Sequence, residues 1–389
     1  MSNIFILYPP TNGIPLVKVT NKVVLTENSF GNELAKDVFS REDIPPYDVA
    51  LRDGWAINSG ETTHSLCLES VHNGENPKTH RPGSRRWINT GGFLPDGADA
   101  VVQASDPASS DFGQDVYANE NVLPRGTEWS AGSLILKAGT VLGAAEQALL
   151  FEAGISELTV LSKPSVAILA TGHEISEVGA ASRGARHASN SVYLLNLLHG
   201  LGLTDVAIFY SKDDEASISD RLSVLGTVYD FIITIGGTGQ GQSDKLRGAI
   251  THAKGVFAED KTHLSSSLPF VLAQVGPSTL FGLPGNPLGF INIVQRVVLP
   301  HLWGCFRTEP FPFRRERVYT GFDYEGRPGD ICVQLARFEG KLIALPVQKG
   351  SGRSAAFRDA MAVIPNPNGA SFEAGSCLQA ELFFNGLIC

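Results

Sequence analysis

The residues of this sequence that could do chemistry are carboxylates set beside glycine-rich turns. Glu174 closes Thr171-Gly172-His173-Glu174, Asp213 and Asp214 are adjacent, and Asp53 stands immediately before Gly54. Asp244 follows a run in which Gly236, Gly237, Gly239 and Gly241 fill four of six consecutive positions. Carboxylate oxygens suit a divalent cation such as Mg²⁺, which keeps its waters until a phosphate arrives. Glycines let the backbone take positive φ and bring N–H groups close to a ligand. A helix capped by Ser243 or Asp244 would point its free N–H groups and positive dipole end at the same spot. The chemistry implied is the holding of an anionic small molecule beside a metal ion.

Plainer roles compete for each residue taken singly. A loop carboxylate is often solvated or caps a helix, and a glycine run can be no more than a tight strand-to-helix connection. The spacing is not the Gly-x-Gly-x-x-Gly of dinucleotide sites, and no Gly-Lys-Ser/Thr of a P-loop follows. Ser265, Ser266 and Ser267 and the histidines have no nucleophile-elbow context, and His173 reads as a loop residue.

The elements that must position these residues decide the matter. Phe231–Ile235, Val166–Ala170, Val206–Tyr210 and Thr279–Phe281 are short apolar runs rich in β-branched residues, the pattern of strands buried on both faces of a parallel sheet. Helical stretches alternate with them: from Ser189-Asn190 to His199, over 215–226, and from Pro287 to about Leu299. In an open α/β sheet ligands sit outside the carboxyl ends of the strands. Four such ends would bring together Thr171 and Glu174, Asp213 and Asp214, Gly236 to Asp244, and Pro284-Gly285-Asn286-Pro287.

Around this core the pattern is β-type. Runs at 17–19 and 23–25 precede a weak helical piece over 29–38, and residues 57–130 are short strands between turns such as Asn73-Gly74 and Gly91-Gly92. A helix over 144–153 and a strand over 157–161 lead to Lys163-Pro164, and after Pro312 the chain returns to strands at 317–320, 330–336, 341–346 and 377–384. The expected fold class is α/β plus β: a multidomain chain with a central doubly wound α/β domain at 164–306, a small β-domain inserted at 46–132, a mixed α/β linker and dimerisation domain from 14–45 and 133–163, and a C-terminal β-barrel-like domain at 307–389.

The formal net charge of -9 argues against a nucleic-acid binder, which needs a basic face. Five cysteines, odd in number and without a Cys-x-x-Cys pair, favour free thiols in a reducing compartment. The first residues carry no basic n-region, and no apolar run is long enough for a membrane helix. The expectation is a soluble cytoplasmic protein with no nucleic-acid or membrane partner.

With these motifs in view, the sequence resembles the MoeA/gephyrin family of molybdopterin molybdenumtransferases over nearly its whole length. Ile44-Pro-Pro-Tyr-Asp-Val-Ala-Leu-Arg-Asp-Gly-Trp-Ala56 is similar to the family's Ile-Pro-Pro-Phe-Asp-Asn-Ser-Ala-Met-Asp-Gly-Tyr-Ala, and Thr90-Gly-Gly-Phe-Leu-Pro-Asp-Gly-Ala-Asp-Ala-Val-Val102 to its Thr-Gly-Ala-x-x-Pro-x-Gly-Ala-Asp-Ala-Val-Val. Thr171-Gly-His-Glu174 resembles Thr-Gly-Asp-Glu, Ser189-Asn190 matches Ser-Asn, and Ile235-Gly-Gly-Thr-Gly-Gln-Gly241 falls on Ser-Gly-Gly-Val-Ser-Val-Gly. Gly282-Leu-Pro-Gly-Asn-Pro287 is intact, and Gly350-Ser-Gly352 falls on the C-terminal Gly-Ser-Gly.

The resemblance implies a four-part subunit that dimerises, with the pterin crevice in the α/β domain and the partner's small β-domain completing it; contact with other cofactor-biosynthesis proteins belongs to the same expectation. The implied reaction uses Mg²⁺ and molybdate: adenylylated molybdopterin loses AMP as molybdenum joins the dithiolene. Carried over by position, Asp53, Thr90, Glu174 and Asp244 are the catalytic candidates, and Glu174, Asp213, Asp214 and Asp244 the metal candidates, with one of Asp213 and Asp214 expected to act. Thr171, Gly172, Ser189, Asn190, Gly236, Gly237, Gly239, Gly241, Pro284, Gly285, Asn286, Pro287, Arg52 and Lys245 are the substrate-binding candidates.

The sequence departs from the family at charged positions. The family's Pro-Gly-Lys-Pro reads Ser266-Ser-Leu-Pro269, so Leu268 stands where a lysine is expected, a loss worth on the order of a few kcal/mol toward an anion. Arg52 replaces Met and His173 replaces Asp; Arg52, His173, Lys245 and Arg247 are the candidates to restore the charge. The alternative function is a pterin-binding accessory or regulatory protein of the same fold with altered or absent catalysis.

Overall fold

The computed structural model describes residues 20–62, 64–107, 116–171, 175–176, 186–236, 245–258, 270–347, 354–366 and 368–385. The chain divides into two compact units, one made of 22–160 and one of 1–21 with 161–389.

The second unit holds the sheet that the strand pattern predicts. Its strands are β1 (Val166–Thr171), β2 (Val206–Ser211), β3 (Phe231–Ile235), β4 (Val256–Phe257), β5 (Val271–Val275) and β6 (Ser278–Leu283), in the spatial order β2-β1-β3-β6-β5-β4. The first four in that order are parallel, with Val166 facing Val206 on one side and Phe231 on the other, and Phe231 facing Thr279. Helices α1 (Ser189–Gly200), α2 (Glu215–Val228), α3 (Lys245–His252) and α4 (Pro287–Ile293) pack on it, and α4 runs through a π-helical turn, Val294–Val298, into α5 (Leu299–Trp303).

Both faces of the sheet are buried, which is why its strands read as continuous apolar runs. Side chains alternate along β1: Val166 and Ile168 join Leu194, Leu198, Phe281, Phe290 and Ile291 on one face, while Ala167 and Leu169 join Ile218, Leu222, Leu246 and Ile250 on the other. Burying each leucine-sized side chain contributes about 1.5–3 kcal/mol. The antiparallel edge β5–β4 was not legible in the sequence.

The C-terminal part closes into a five-stranded barrel in the order Arg315–Thr320, Lys341–Pro346, Ile331–Phe338, Ala362–Ile364 and Cys377–Leu382. Val347, Ala356, Ala360, Phe357, Phe383 and Phe384 join the core on the α4 side of the sheet, so barrel and sheet share apolar contacts. At the same seam Arg296, in the π-helical turn, forms ion pairs with Asp330 (3.4 Å) and with Glu381, and Glu381 also pairs with Arg315 (3.0 Å). Burial holds the Asp330 carboxyl above the usual carboxylate range, against the opposing pull of Arg296.

In the first unit, a four-stranded sheet orders Ser65–Val71, Ser84–Ile88, Gly54–Ile57 and Ala100–Gln103. The helix Ala144–Glu152 packs Leu150 against Leu34, Leu142 and Val160 beside the paired strands Asn21–Leu25 and Glu157–Leu161. The helical piece expected over 29–38 does not form. Gly31 takes φ +71, and the amides of Leu34 and Ala35 donate to Thr140 and Thr159 across the chain instead of along a helix.

Candidate functional site

Three adjacent parallel strands end in a backbone knot at the carboxyl edge of the sheet. At the end of β3, Gly236 takes φ +107, donates its N–H to Leu283 O at the end of β6 (2.9 Å), and lies so close to Thr171 that a Cβ would come within 2.9 Å of the threonine carbonyl. Only glycine meets both conditions without strain. Thr171, at the end of β1 and 7% exposed, donates its hydroxyl to Ile235 O at 3.2 Å.

The same corner gathers the Pro284–Pro287 turn. An ideal Cβ on Gly285 would lie 3.9 Å from the Gly236 Cα, and Asn190, buried in the first turn of α1, donates its amide to Gly285 O at 3.1 Å. Asn286 caps α4 by accepting from Gly289 N at 2.8 Å, with Pro287 in the first turn. Ser189, Gly285 and Asn286 are exposed, while Asn190, Pro284 and Pro287 are buried. Ala188, at the N-cap of α1, makes no side-chain cap, and its carbonyl accepts from the amides of Ser191 (3.0 Å) and Val192 (3.2 Å).

The charged candidates separate by role. Asp214 caps α2, accepting from Ser217 N (2.8 Å) and Oγ (2.7 Å). Asp213, just past the end of β2, is engaged by Lys245, whose Nζ donates to its carbonyl (2.5 Å) and its carboxylate (3.0 Å). Glu174, Asp244, Gly172, Gly237, Gly239 and Gly241 lie outside the described residues, as do His173, Leu268 and 350–352. Among the described residues no three His, Cys, Asp or Glu side chains gather as a metal cage.

In the first unit, Asp53 and Thr90 form a corner of their own. The Asp53 carboxylate accepts from Thr90 N (2.6 Å) and Thr90 Oγ1 (2.8 Å), and these two donors hold it below the usual carboxylate range. Asn73 supports the corner by donating to Thr90 O at 3.0 Å. Its role was not read from the sequence, although the Asn73-Gly74 turn signal was there to find. Arg52 is exposed beside Asp53.

Comparison with known proteins agrees with this architecture. Residues 9–154 match the model described as the MoeA N-terminal region, domains I and II, and residues 167–303 match the one described as a probable molybdopterin binding domain. A molybdopterin molybdenumtransferase of Staphylococcus aureus strain MSSA476 is 29% identical over 305 residues, covering 74% of this chain and 73% of that protein. The counterpart from strain MRSA252 is 28% identical over 307 residues, with the same coverage of both chains. Among solved structures, a molybdopterin biosynthesis MoeA protein from Pyrococcus horikosii superposes with a TM-score of 0.74 at 26% identity over 95% of both chains. A second, from Pyrococcus horikoshii OT3, gives 0.62 at 21% identity over 94% of this chain and 95% of that one, and speaks for the fold alone.

Proposed function

The chain belongs to the MoeA family of molybdenum-cofactor biosynthesis, and from that premise we propose that it inserts molybdenum into adenylylated molybdopterin, consuming molybdate and releasing AMP. The observation that carries this reading is the knot of Thr171, Gly236 and Gly285, with Asn190 behind it. Among the described residues it leaves backbone and small side chains, rather than bulk, at the carboxyl ends of the parallel strands, where an α/β sheet takes its ligand. A phosphorylated pterin is an anion, and the positive dipole end of α1, where Ala188 supplies no side-chain cap, favours one there.

Mg²⁺ suits the donors on hand. It is commonly held by one or two carboxylates together with substrate phosphates, not by an all-protein cage, and Asp213 is partly exposed at the strand ends and, unlike its neighbour Asp214, does not cap a helix. When bound, the ion would neutralise the phosphates and polarise a phosphoryl oxygen. Glu174 and Asp244 are the further ligands we propose. Asp53, held ionised by Thr90, is proposed as the catalytic carboxylate of the small β-domain.

We further propose a homodimer. In the first unit Val23, Phe30, Phe39 and Phe151 are between 49% and 67% exposed, a set of large apolar side chains that a second subunit would cover. Pterin binding without insertion is the second reading, and it rests on Leu268. Supplying the chain to a host that lacks its molybdenumtransferase separates the two. Recovery of molybdoenzyme activity is the expected outcome; folded chain that binds pterin without restoring that activity supports the second reading.

A further inference from the structure

Two charges at the carboxyl edge of the sheet that a phosphate and a cation would each want are engaged with one another. Lys245 opens α3, the helix that follows the glycine run, and Asp213 lies in the loop between β2 and α2. The lysine grips both the carbonyl and the carboxylate of the aspartate. The neighbouring acids are held otherwise. Asp214 caps α2, and the Glu215 carboxylate pairs with His252 Nδ1 at 2.6 Å. Glu215 also fills the space over Gly248, where an ideal Cβ would come within 2.3 Å of its oxygen. Of the three, Asp213 is the one tied to a single ammonium while its side chain stays 29% exposed; the Lys245 side chain is 35% exposed.

We propose that Lys245 and Asp213 form an exchange pair. Closed in the free chain, it opens when a phosphorylated ligand and a divalent cation arrive together, Lys245 passing to the phosphate and Asp213 to the cation. This rests on the crevice reading above and deepens it: the pair masks two opposite binding groups until both ligands are present. Partly exposed ion pairs contribute little net stability, so opening costs little. An oxyanion of higher charge competes well for the ammonium, and a divalent ion competes well for the carboxylate. The pair also gives this chain a cation at the strand ends, which bears on the lysine that Leu268 replaces.

The pair predicts crossed effects that an ordinary binding residue does not. Titration calorimetry with inorganic pyrophosphate in the absence of metal, and separately with Mg²⁺ alone, is run on wild type, Asp213→Asn, Lys245→Met and the double variant. Asp213→Asn removes the charge that holds the ammonium and leaves only the backbone carbonyl as its acceptor, so its pyrophosphate affinity rises roughly fivefold while its Mg²⁺ affinity falls. Lys245→Met frees the carboxylate and gives the mirror result. In the double variant both gains vanish, and Lys245→Arg retains wild-type behaviour. Absence of either gain in variants that unfold at the wild-type temperature overturns the exchange. Calorimetry of the wild-type chain with a pterin phosphate keeps the two ideas apart: binding there without crossed gains sinks the exchange alone, whereas no binding at all sinks the crevice reading.

Discussion

Protonation of His301 should set the acid limit of the sheet-and-barrel unit. The imidazole sits in α5 against the rings of Phe231 and Phe281, at centroid distances of 5.8 and 5.3 Å, and its Nε2 has no hydrogen-bond partner among the described residues. Burial pushes its pKa down from 6.5 to about 4. Between those values the unfolded chain binds a proton that the folded chain does not, so stability falls as the pH drops from about 6.5 and is fully lowered below about 4. A difference of about 2.5 in pKa, at about 1.36 kcal/mol each, limits the loss to about 3.4 kcal/mol. Between pH 7 and pH 5 the share of this one group is roughly 2 kcal/mol. His301→Phe keeps an aromatic ring against Phe231 and Phe281 and removes the proton site, so its stability should decline less over the same interval. The assay is equilibrium urea unfolding of both chains at pH 7 and pH 5, compared as differences so that other titrating groups cancel. If wild type and His301→Phe lose the same stability between the two pH values, the buried imidazole is not the cause.

Three further outcomes follow from the same contacts. Arg296→Met leaves Asp330, 9% exposed, without its guanidinium while Glu381 keeps Arg315, and thermal unfolding should show a loss of about 3 kcal/mol. Gly236→Ala forces φ +107 on a residue with a Cβ and drives it into Thr171, a strain of about 1–3 kcal/mol; titration with a pterin phosphate should show affinity falling more than overall stability does. Asp53→Ala removes the exposed carboxylate that Thr90 holds ionised, and should abolish AMP release while leaving the unfolding midpoint near that of wild type.

The parallel core was legible because burial on both faces leaves an unbroken apolar signature, and Phe231–Ile235 appears in the structure with the expected bounds. Val271–Val275 escaped notice for the opposite reason. It is an antiparallel strand near the sheet edge whose exposure alternates, and its sequence, Val-Leu-Ala-Gln-Val, suits a helix as well as a strand. The stretch over 29–38 misled because propensity favoured a helix while long-range amide bonds to 140 and 159 decided the conformation. At the site, Gly236 could be named from its residue type, because positive φ and close backbone approach demand glycine, and Asn190 from the resemblance of Ser189-Asn190 to the family's Ser-Asn. The partners of the charges could not. The Asp214 cap reaches only to Ser217, three residues on, but the meeting of Asp213 with Lys245 depends on how α2 and α3 are packed, which no local pattern encodes.

The central claim is that the cradle at the strand ends presents adenylylated molybdopterin to molybdate. Incubating purified chain with adenylylated molybdopterin, molybdate and Mg²⁺, and quantifying both AMP and pterin-bound molybdenum, tests it most directly. The account predicts that the two products appear in equal amounts and that neither forms without Mg²⁺; molybdopterin adenylate that remains bound and intact beside molybdate would contradict it.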